Sequence, residues 1–265
     1  MFGEMPWPQS LEITRRYGYT CWELAPFTLG APPSELSQPR RREIEREIRS
    51  AGIDIIGLHW LLAKTEGYHL TTDDRETRRR TAEYLADLAR LCRELGGWVM
   101  VLGSPQQRNF PPSMTHDQAE ANAIEVIEQL LPTLEETQVT LALEPLGPAE
   151  GNFWNHASQA IAVIERLQSP WVKLHLDCKA MSSEDRPIAD VIRSSAQHLV
   201  HFHANDPNLL GPGMGELDFL PIFAALRDIG YDRWVSVEVF DYSPGPETIA
   251  RQSMECMQRC LAALK

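Results

Sequence analysis

The sequence lacks the features of a membrane or secreted protein. No uninterrupted apolar run reaches the roughly 20 residues that a bilayer-spanning helix needs. The first ten residues, MFGEMPWPQS, have neither the basic start nor the apolar stretch of a secretory signal. No segment has the biased composition of a low-complexity linker. We therefore expect a cytoplasmic protein.

Basic residues are fewer than acidic ones. The chain has 25 Lys and Arg and 37 Asp and Glu, which gives a formal net charge of −12. An acidic protein repels phosphate backbones unless it carries a local basic patch. The two dense basic runs, Arg40–Arg42 and Arg78–Arg80, lie among acidic residues and are typical of solvated helix faces. We expect neither a nucleic-acid partner nor a membrane partner.

Two further absences narrow the chemistry. The five cysteines include no CxxC pair, and an odd number without a secretory signal favours buried thiols over a disulfide framework. No G-x-G-x-x-G motif follows a strand-like run, which argues against a dinucleotide-binding domain.

Short apolar runs alternate with longer stretches of helical periodicity. Strands are predicted at residues 20–26, 54–60, 98–104, 139–145, 172–178, 199–205 and 234–240. Helices are predicted near residues 9–18 and at 39–51, 73–95, 116–137, 156–168, 186–197, 219–229 and 246–263. Alternating strands and helices indicate a parallel sheet, and this number of units favours an α/β TIM (β/α)8-type barrel over an open doubly wound sheet.

The N-terminus departs from a complete eight-stranded barrel. Only MFGEMPWP precedes the first predicted helix, so the first strand is short or missing, and we expect residues 1–4 to form its tail. We expect residues 1–265 to form a single barrel domain. A neighbouring chain in a homo-oligomer is one way to cover the barrel edge that a short first strand leaves.

The carboxyl ends of the strands, where TIM barrels place their active sites, carry polar residues in four consecutive predicted strands. In each strand two residues spaced by two share the inward face. These pairs are Ala142 and Glu144, His175 and Asp177, His201 and His203, and Ser236 and Glu238. The second member of each pair lies nearest the strand end, so three carboxylates and one imidazole converge there.

Three carboxylates that face one another resist joint ionisation, and a divalent cation removes that repulsion. A single Glu or Asp at a strand end is also typical of a helix N-cap, but four such groups on successive strands favour a ligand set. Mostly oxygen ligands with one imidazole suit Mn²⁺, Co²⁺ or Mg²⁺ better than a structural zinc site, and Zn²⁺ is the remaining candidate. We predict one divalent metal held by Glu144, Asp177, His203 and Glu238.

The motifs LALEP, HLDCKAM, HFHAND and VSVEVF carry a family resemblance. From its first helix onward the chain resembles the xylose isomerase-like TIM-barrel superfamily, and within it the sugar isomerase/epimerase branch that includes D-tagatose 3-epimerases and hydroxypyruvate isomerases. The resemblance implies that Glu144, Asp177, His203 and Glu238 bind one divalent metal. It also implies that Glu144 and Glu238 are the acid/base pair that moves a proton through an enediolate.

The resemblance is weaker on the substrate side. Glu150, six residues after Glu144, matches a substrate-binding Glu of the epimerases, although a solvent-exposed loop acid fits the pattern as well. The ketohexose epimerases have a His and an Arg at positions where this chain has Ala180 and Leu209. Lys179 either replaces one of these two substrate contacts or is an ordinary surface lysine.

Other inward residues are candidates for the pocket. His59 is a substrate contact or a buried structural histidine, and Trp60 stacks on the sugar or belongs to the core. Glu23 is a buried hydrogen-bonding group or a substrate contact. His175 and His201 fall one layer deeper than the predicted ligands, where they fill the barrel or support the ligands.

The expected function is that of a metal-dependent isomerase or epimerase acting on a keto-sugar or a related polyol. The same metal and base would also serve a lyase or dehydratase acting on a 3-keto glycoside or an inosose. An apurinic endonuclease and a non-catalytic sugar-binding barrel are further alternatives. The Gly- and Pro-rich loop 208–219 is expected to cover the site.

Overall fold

The computed structural model describes residues 1–265 as an alternating series of strands and helices. The strands are β1 (Cys21–Leu24), β2 (Asp54–Leu58), β3 (Val99–Leu102), β4 (Thr140–Leu143), β5 (Val172–Asp177), β6 (Leu199–Ala204) and β7 (Val235–Val237). The α-helices are α1 (Trp7–Arg16), α2 (Gln38–Ser50), α3 (Arg75–Glu94), α4 (His116–Thr137), α5 (Ala157–Leu167), α6 (Cys178–Met181), α7 (Ile188–Ser194), α8 (Leu220–Asp228) and α9 (Pro246–Ala263). Short 3-10 helices occupy Pro26–Leu29 and Pro105–Gln107.

The seven strands form one parallel sheet in the order β1-β2-β3-β4-β5-β6-β7, which confirms the predicted α/β barrel class. Each strand pairs with the next along the chain, and helical connections return the chain to the same end of the sheet. β1 and β7 are not hydrogen-bonded to each other, so the barrel is nearly closed, with an open seam between its two edge strands. All seven carboxyl ends therefore meet at one rim.

The prediction that residues 1–4 form the tail of a strand is wrong. This segment makes a turn, in which Gly3 has φ +55° and the Met5 N–H donates to the Phe2 carbonyl at 3.0 Å. Pro6 follows directly and has no N–H to donate to a strand ladder. The segment instead packs through its aromatic ring, because the Phe2 and Trp22 ring centroids lie 5.6 Å apart.

The helices form where local signals support them. α4 begins with a capping box in which the Thr115 hydroxyl accepts from the Gln118 N–H while the Gln118 side chain accepts from the Thr115 N–H. The helix predicted at 186–197 is shorter, at Ile188–Ser194, and is preceded by the unpredicted four-residue α6. No helix combines the length and the apolar character required to cross a membrane.

Two apolar layers hold the barrel together. The main core lies between the sheet and the helices and includes Leu141 and Leu143 of β4. A separate small cluster of Val99, Ala142 and Val200 packs against Trp98, close to the amino end of β3. The ring of Trp98 lies edge-on to His201, with the centroids 6.4 Å apart. Apolar packing therefore supports the polar groups of the barrel interior from the end away from the rim.

Candidate metal and catalytic site

The four predicted metal ligands all lie at the rim and are buried. Glu144 directly follows β4, Asp177 is the last residue of β5, His203 is in β6 and Glu238 directly follows β7. Their exposed fractions are 6%, 2%, 1% and 7%. Asp177 and His203 are register partners, so their side chains lie side by side on the two central strands of this group.

The loop after β3 makes room for Glu144. A Cβ atom on Gly103 would lie 2.0 Å from Glu144 Oε2, so only glycine allows the carboxylate to occupy this position. The Glu144 N–H donates to the Leu102 carbonyl at 3.2 Å, and Arg108 Nη1 donates to the Glu144 carbonyl at 2.7 Å. The backbone of Glu144 is thus fixed from both sides.

Three of the predicted ligands form one cluster together with His175. Each of Glu144, His175, Asp177 and His203 offers one donor atom, and these four atoms all lie within 4.8 Å of one another. His175 Nε2 is 3.5 Å from Glu144 Oε1, and neither ring nitrogen of His175 has a hydrogen-bond partner. His175 therefore lies within reach of the proposed ligands, whereas the sequence analysis expected it one layer deeper in the barrel.

Glu238 joins the site through hydrogen bonds rather than through that cluster. Its Oε2 is 3.2 Å from His203 Nδ1, and its Oε1 is 3.1 Å from His59 Nδ1. The indole N–H of Trp60 donates to the same Oε1 at 2.6 Å. Three N–H groups from the ends of β2 and β6 therefore fix the orientation of this carboxylate.

The electrostatics of the site divide its carboxylates into two kinds. Burial and the charge of Glu238 raise the pKa of both Glu144 and Asp177, that of Glu144 well above its usual range and that of Asp177 to about 6. Burial also opposes the ionisation of Glu238, but the charge and hydrogen bond of His203 hold the pKa of Glu238 well below its usual range. Burial lowers the pKa of His203, yet Glu23 and Glu238 raise it well above normal.

These observations fit a divalent cation. Carboxylates that resist joint ionisation are stabilised when a cation lies between them. A buried imidazole without any hydrogen-bond partner, as in His175, is also costly unless something binds it. Three carboxylates with imidazole donors suit the metals that prefer oxygen and nitrogen ligands.

Three further residues hold these proposed ligands in place, and the sequence pointed to only one of them, Glu23, as a buried hydrogen-bonding group or a substrate contact. Glu23 Oε2 accepts from His203 Nε2 at 3.0 Å, and Asn205 Nδ2 donates to Asp177 Oδ2 at 2.5 Å. Arg108 is buried beneath Glu144. Asn205 could have been found from its place just after β6, whereas the loop position of Arg108 gives no signal.

A family model of xylose isomerase-like TIM barrels matches residues 11–260. The chain belongs to this family. A D-psicose 3-epimerase of Enterocloster bolteae is 31% identical over 180 residues, which is 66% of this chain and 59% of the relative. An L-ribulose 3-epimerase of Mesorhizobium japonicum is 29% identical over 188 residues, 69% of this chain and 62% of the relative. The match therefore spans about three fifths of the length of these curated relatives.

The solved structures extend the likeness to the whole barrel. The structure of a D-psicose 3-epimerase with D-tagatose, from Clostridium cellulolyticum H10, superposes with a TM-score of 0.84 at 20% identity. The superposition covers 99% of this chain and 95% of the other. Because the sequence identity is only 20%, this structural similarity establishes the fold and nothing further.

The predicted substrate contacts lie in two places around the ligands. His59 and Trp60 lie against Glu238, and a cavity of about 390 Å³ opens beside them between β1 and β7. Lys179 and Glu150 form a half-buried ion pair, with Nζ 2.6 Å from Oε2. Lys179 is therefore paired and is not a free surface lysine.

An aromatic wall, Phe27, Trp60 and Phe240, joins these two places. The Trp60 ring stacks on the Phe240 ring with the two centroids 5.8 Å apart. The Phe27 ring is tilted relative to Trp60, and their centroids also lie 5.8 Å apart. The ammonium of Lys179 lies 4.7 Å from the centre of the Phe240 ring. A flat apolar surface with charged groups at its edge is suited to one face of a sugar.

The two positions that depart from the ketohexose epimerases do not offer polar contacts. Ala180 is buried, and its N–H donates to Asp177 Oδ1 at 2.8 Å. Leu209 is 44% exposed and has φ +74°. The Leu209 carbonyl accepts from the Phe240 and Asp241 N–H groups, so loop 208–219 is tied to the loop after β7.

Proposed function

We propose that residues 1–265 form a single barrel domain that epimerises or isomerises a keto-sugar or related polyol with one divalent metal. The observation that carries this proposal is the placement of two buried carboxylates, Glu144 after β4 and Glu238 after β7, at the rim where Asp177 and His203 also lie. Two carboxyl groups at one site are suited to the roles of proton donor and proton acceptor. The similarity to a D-psicose 3-epimerase and an L-ribulose 3-epimerase supports a ketose substrate.

Glu144, Asp177, His203 and Glu238 would hold the metal, with Mn²⁺, Co²⁺ or Mg²⁺ as the expected ions and Zn²⁺ as a further candidate. The neighbouring His175 is a fifth available donor. A bound divalent ion supplies Lewis-acid polarisation of a carbonyl and neutralises developing negative charge.

The two glutamates move the proton. Glu238, whose carboxylate accepts from the Trp60 indole N–H and faces His59 Nδ1, removes the proton from the carbon next to the keto group, and the C–H electron pair enters an enediolate. Glu144 then delivers a proton to the opposite face of that carbon. In the reverse direction the two residues exchange roles. The aromatic wall at Trp60 limits the access of water to the enediolate.

The substrate contacts, the oligomeric state and the location are predictions. Glu150 and Lys179 are expected to contact the far end of the substrate as an ion pair, while His59 and Trp60 are expected to line its near side. A homo-oligomer and a cytoplasmic location remain expectations from the sequence.

The test is proton exchange in deuterated water. The protein is stripped with chelator, reloaded with Mn²⁺ and incubated with a panel of ketoses, inososes and 3-keto glycosides, and deuterium incorporation and products are followed by NMR. We expect deuterium at the carbon next to the carbonyl and an epimer or isomer as product. Elimination products from the last two classes would instead identify a lyase or dehydratase.

Matched variants complete the test. Glu144→Gln and Glu238→Gln should each lower exchange by about 10²- to 10⁴-fold, because each removes one of the two proton-transfer groups. Glu83→Gln, on the exposed face of α3, should exchange like the original protein. The proposal fails if both active-site variants exchange at the original rate, or if the loaded protein exchanges no keto-sugar.

A further inference from the structure

The carboxylate of Glu23 connects two histidines in the barrel interior. Its Oε1 is 2.6 Å from His201 Nε2, and its Oε2 is 3.0 Å from His203 Nε2. Only 5% of the Glu23 side chain is exposed, and both imidazoles are fully buried. Each carboxylate oxygen therefore has one imidazole N–H to accept from.

The backbone of β1 is shaped to direct Glu23 at these histidines. The register between β1 and β2 shifts between Trp22 and Glu23, which is the signature of a β-bulge. Bulges change the direction of a side chain next to an active site. Because β1 borders the open seam, Glu23 reaches His203 on β6 across the barrel interior instead of through a neighbouring strand.

The two nitrogens of His203 consequently face different groups. Nε2 faces Glu23, whereas Nδ1 faces Glu238 Oε2 at 3.2 Å. An imidazole that binds a metal through one nitrogen donates the N–H of its other nitrogen to a nearby acceptor, which fixes both the tautomer and the ring orientation. With Nε2 engaged by Glu23, Nδ1 is the nitrogen that faces another of the proposed ligands.

His201 holds Glu23 in place from the side that faces away from the rim. Its ring packs against Trp98 and lies 5.4 Å from the ring of His175. The hydrogen bond from His201 takes up the second oxygen of Glu23, so the carboxylate cannot turn away from His203 without leaving a buried polar group unpaired.

We propose that Glu23 is a positioning residue for the metal: by accepting from His203 Nε2 it directs His203 Nδ1 to the ion shared with Glu144, Asp177 and Glu238. This inference rests on the ligand set of the proposed function. A direct ligand role for Glu23 is the competing assignment, because donor atoms of Glu23, His59 and His203 also lie within 4.8 Å of one another.

The experiment measures metal affinity and needs no substrate. Dissociation constants for Mn²⁺ are measured by calorimetry at pH 7.5 on the full chain, its Glu23→Gln and Glu23→Ala variants, and a Ser236→Ala control. Ser236 Oγ lies 3.5 Å from Nε2 of the same His201, and Ser236 is the register partner of His203 without making a side-chain hydrogen bond to it. The Kd is expected to rise about 10- to 100-fold in Glu23→Ala. It should rise less in Glu23→Gln, whose amide oxygen still accepts, and stay within about twofold in Ser236→Ala.

A second readout separates positioning from ligation. In the protein loaded with diamagnetic Zn²⁺, long-range ¹H–¹⁵N NMR should find the His203 proton on Nε2. A proton on Nδ1, or a Kd unchanged in Glu23→Ala, overturns the positioning role. If the original chain binds neither Mn²⁺ nor Zn²⁺, the ligand set of the proposed function fails first. If the original chain binds Mn²⁺ tightly and the Glu23→Ala variant has the same Kd, the positioning role of Glu23 is refuted while the ligand set of the proposed function stands.

Discussion

Trp60 combines an unusual backbone conformation with a contact to a reactive group. Its φ is +54°, a left-handed conformation that is costly for a bulky side chain. The indole N–H donates to Glu238 at 2.6 Å while the ring stacks on Phe240. Strain of this kind persists where the surrounding structure holds it, and it is concentrated at functional sites.

Trp60→Phe tests what this contact contributes. Phenylalanine keeps the ring stack but loses the N–H, and a hydrogen bond to a charged group contributes roughly 1.5–3 kcal/mol, so kcat should fall about 10- to 100-fold. The KM for the ketose should change little, because the lost bond is to Glu238 and not to the sugar. Steady-state kinetics measure both. A raised KM with unchanged kcat would assign Trp60 to substrate binding, and Trp171→Phe, just before β5, is the matched control.

The inward placement of the proposed ligands was predictable from the sequence, whereas the bonds around them were not. Glu144, Asp177 and His203 could be found because alternation places them inward at the ends of apolar strands. The Trp60 bond to Glu238 depends on the sign of one backbone angle, which tertiary packing sets. The bulge that directs Glu23 likewise arises from strand pairing and leaves no pattern in the sequence.

At the scale of elements, the loop after β3 controls the position of Glu144. Gly103→Ala would place a methyl group 2.0 Å from Glu144 Oε2, and the flexible carboxylate can move away while the backbone stays. We expect a melting temperature close to that of the original chain and a clearly weaker Mn²⁺ affinity. Thermal unfolding and calorimetry measure the two quantities.

A matched glycine variant makes the Gly103 result specific. Gly151→Ala meets the Asn109 side chain at 2.3 Å, a comparable steric conflict that involves no proposed ligand. Its Mn²⁺ affinity should be unchanged. Equal losses in both variants would contradict a particular role for the loop after β3.

Most elements were predictable because their signals are local. The bounds of α4 agree with the sequence prediction, since apolar periodicity and the capping box at Thr115 specify them. The short α6 was not predicted, because its N-cap residue, Asp177, was interpreted from the sequence as a metal ligand at the end of a strand. In the structure Asp177 Oδ1 also accepts from the Ala180 N–H and so caps the helix. The predicted strand at residues 1–4 failed because a turn residue and Pro6 prevent regular pairing.

At the scale of the whole molecule, the site links stability to pH. The pKa of Asp177 is raised from its usual 3.8 to about 6, mainly by burial. A carboxyl with a raised pKa stabilises the fold at pH values below 3.8, and that contribution is lost as the pH rises through about 6. The metal-free chain should therefore lose stability over this interval, while a divalent ion binds the ionised form.

The increase in melting temperature caused by Mn²⁺ should accordingly be small at pH 5 and large at pH 7.5. Differential scanning fluorimetry with Mn²⁺ or with EDTA across this range measures it. The metal-free Asp177→Asn variant should lose less stability over the same interval, because it lacks the titrating carboxyl. An equal increase at both pH values would contradict this assignment.

The seam between β1 and β7 has a wider consequence. Elsewhere in the barrel, adjacent strands are joined by backbone hydrogen bonds. Near the seam, side chains make the connections: Glu23 on β1 bonds to His203 on β6, and Glu238 after β7 bonds to His59 and Trp60 after β2. The groups proposed for catalysis thus also fasten the two edges of the sheet. A substitution at Glu23 or Glu238 therefore changes the proposed chemistry and the connection across the seam together, because both act through the same few side chains.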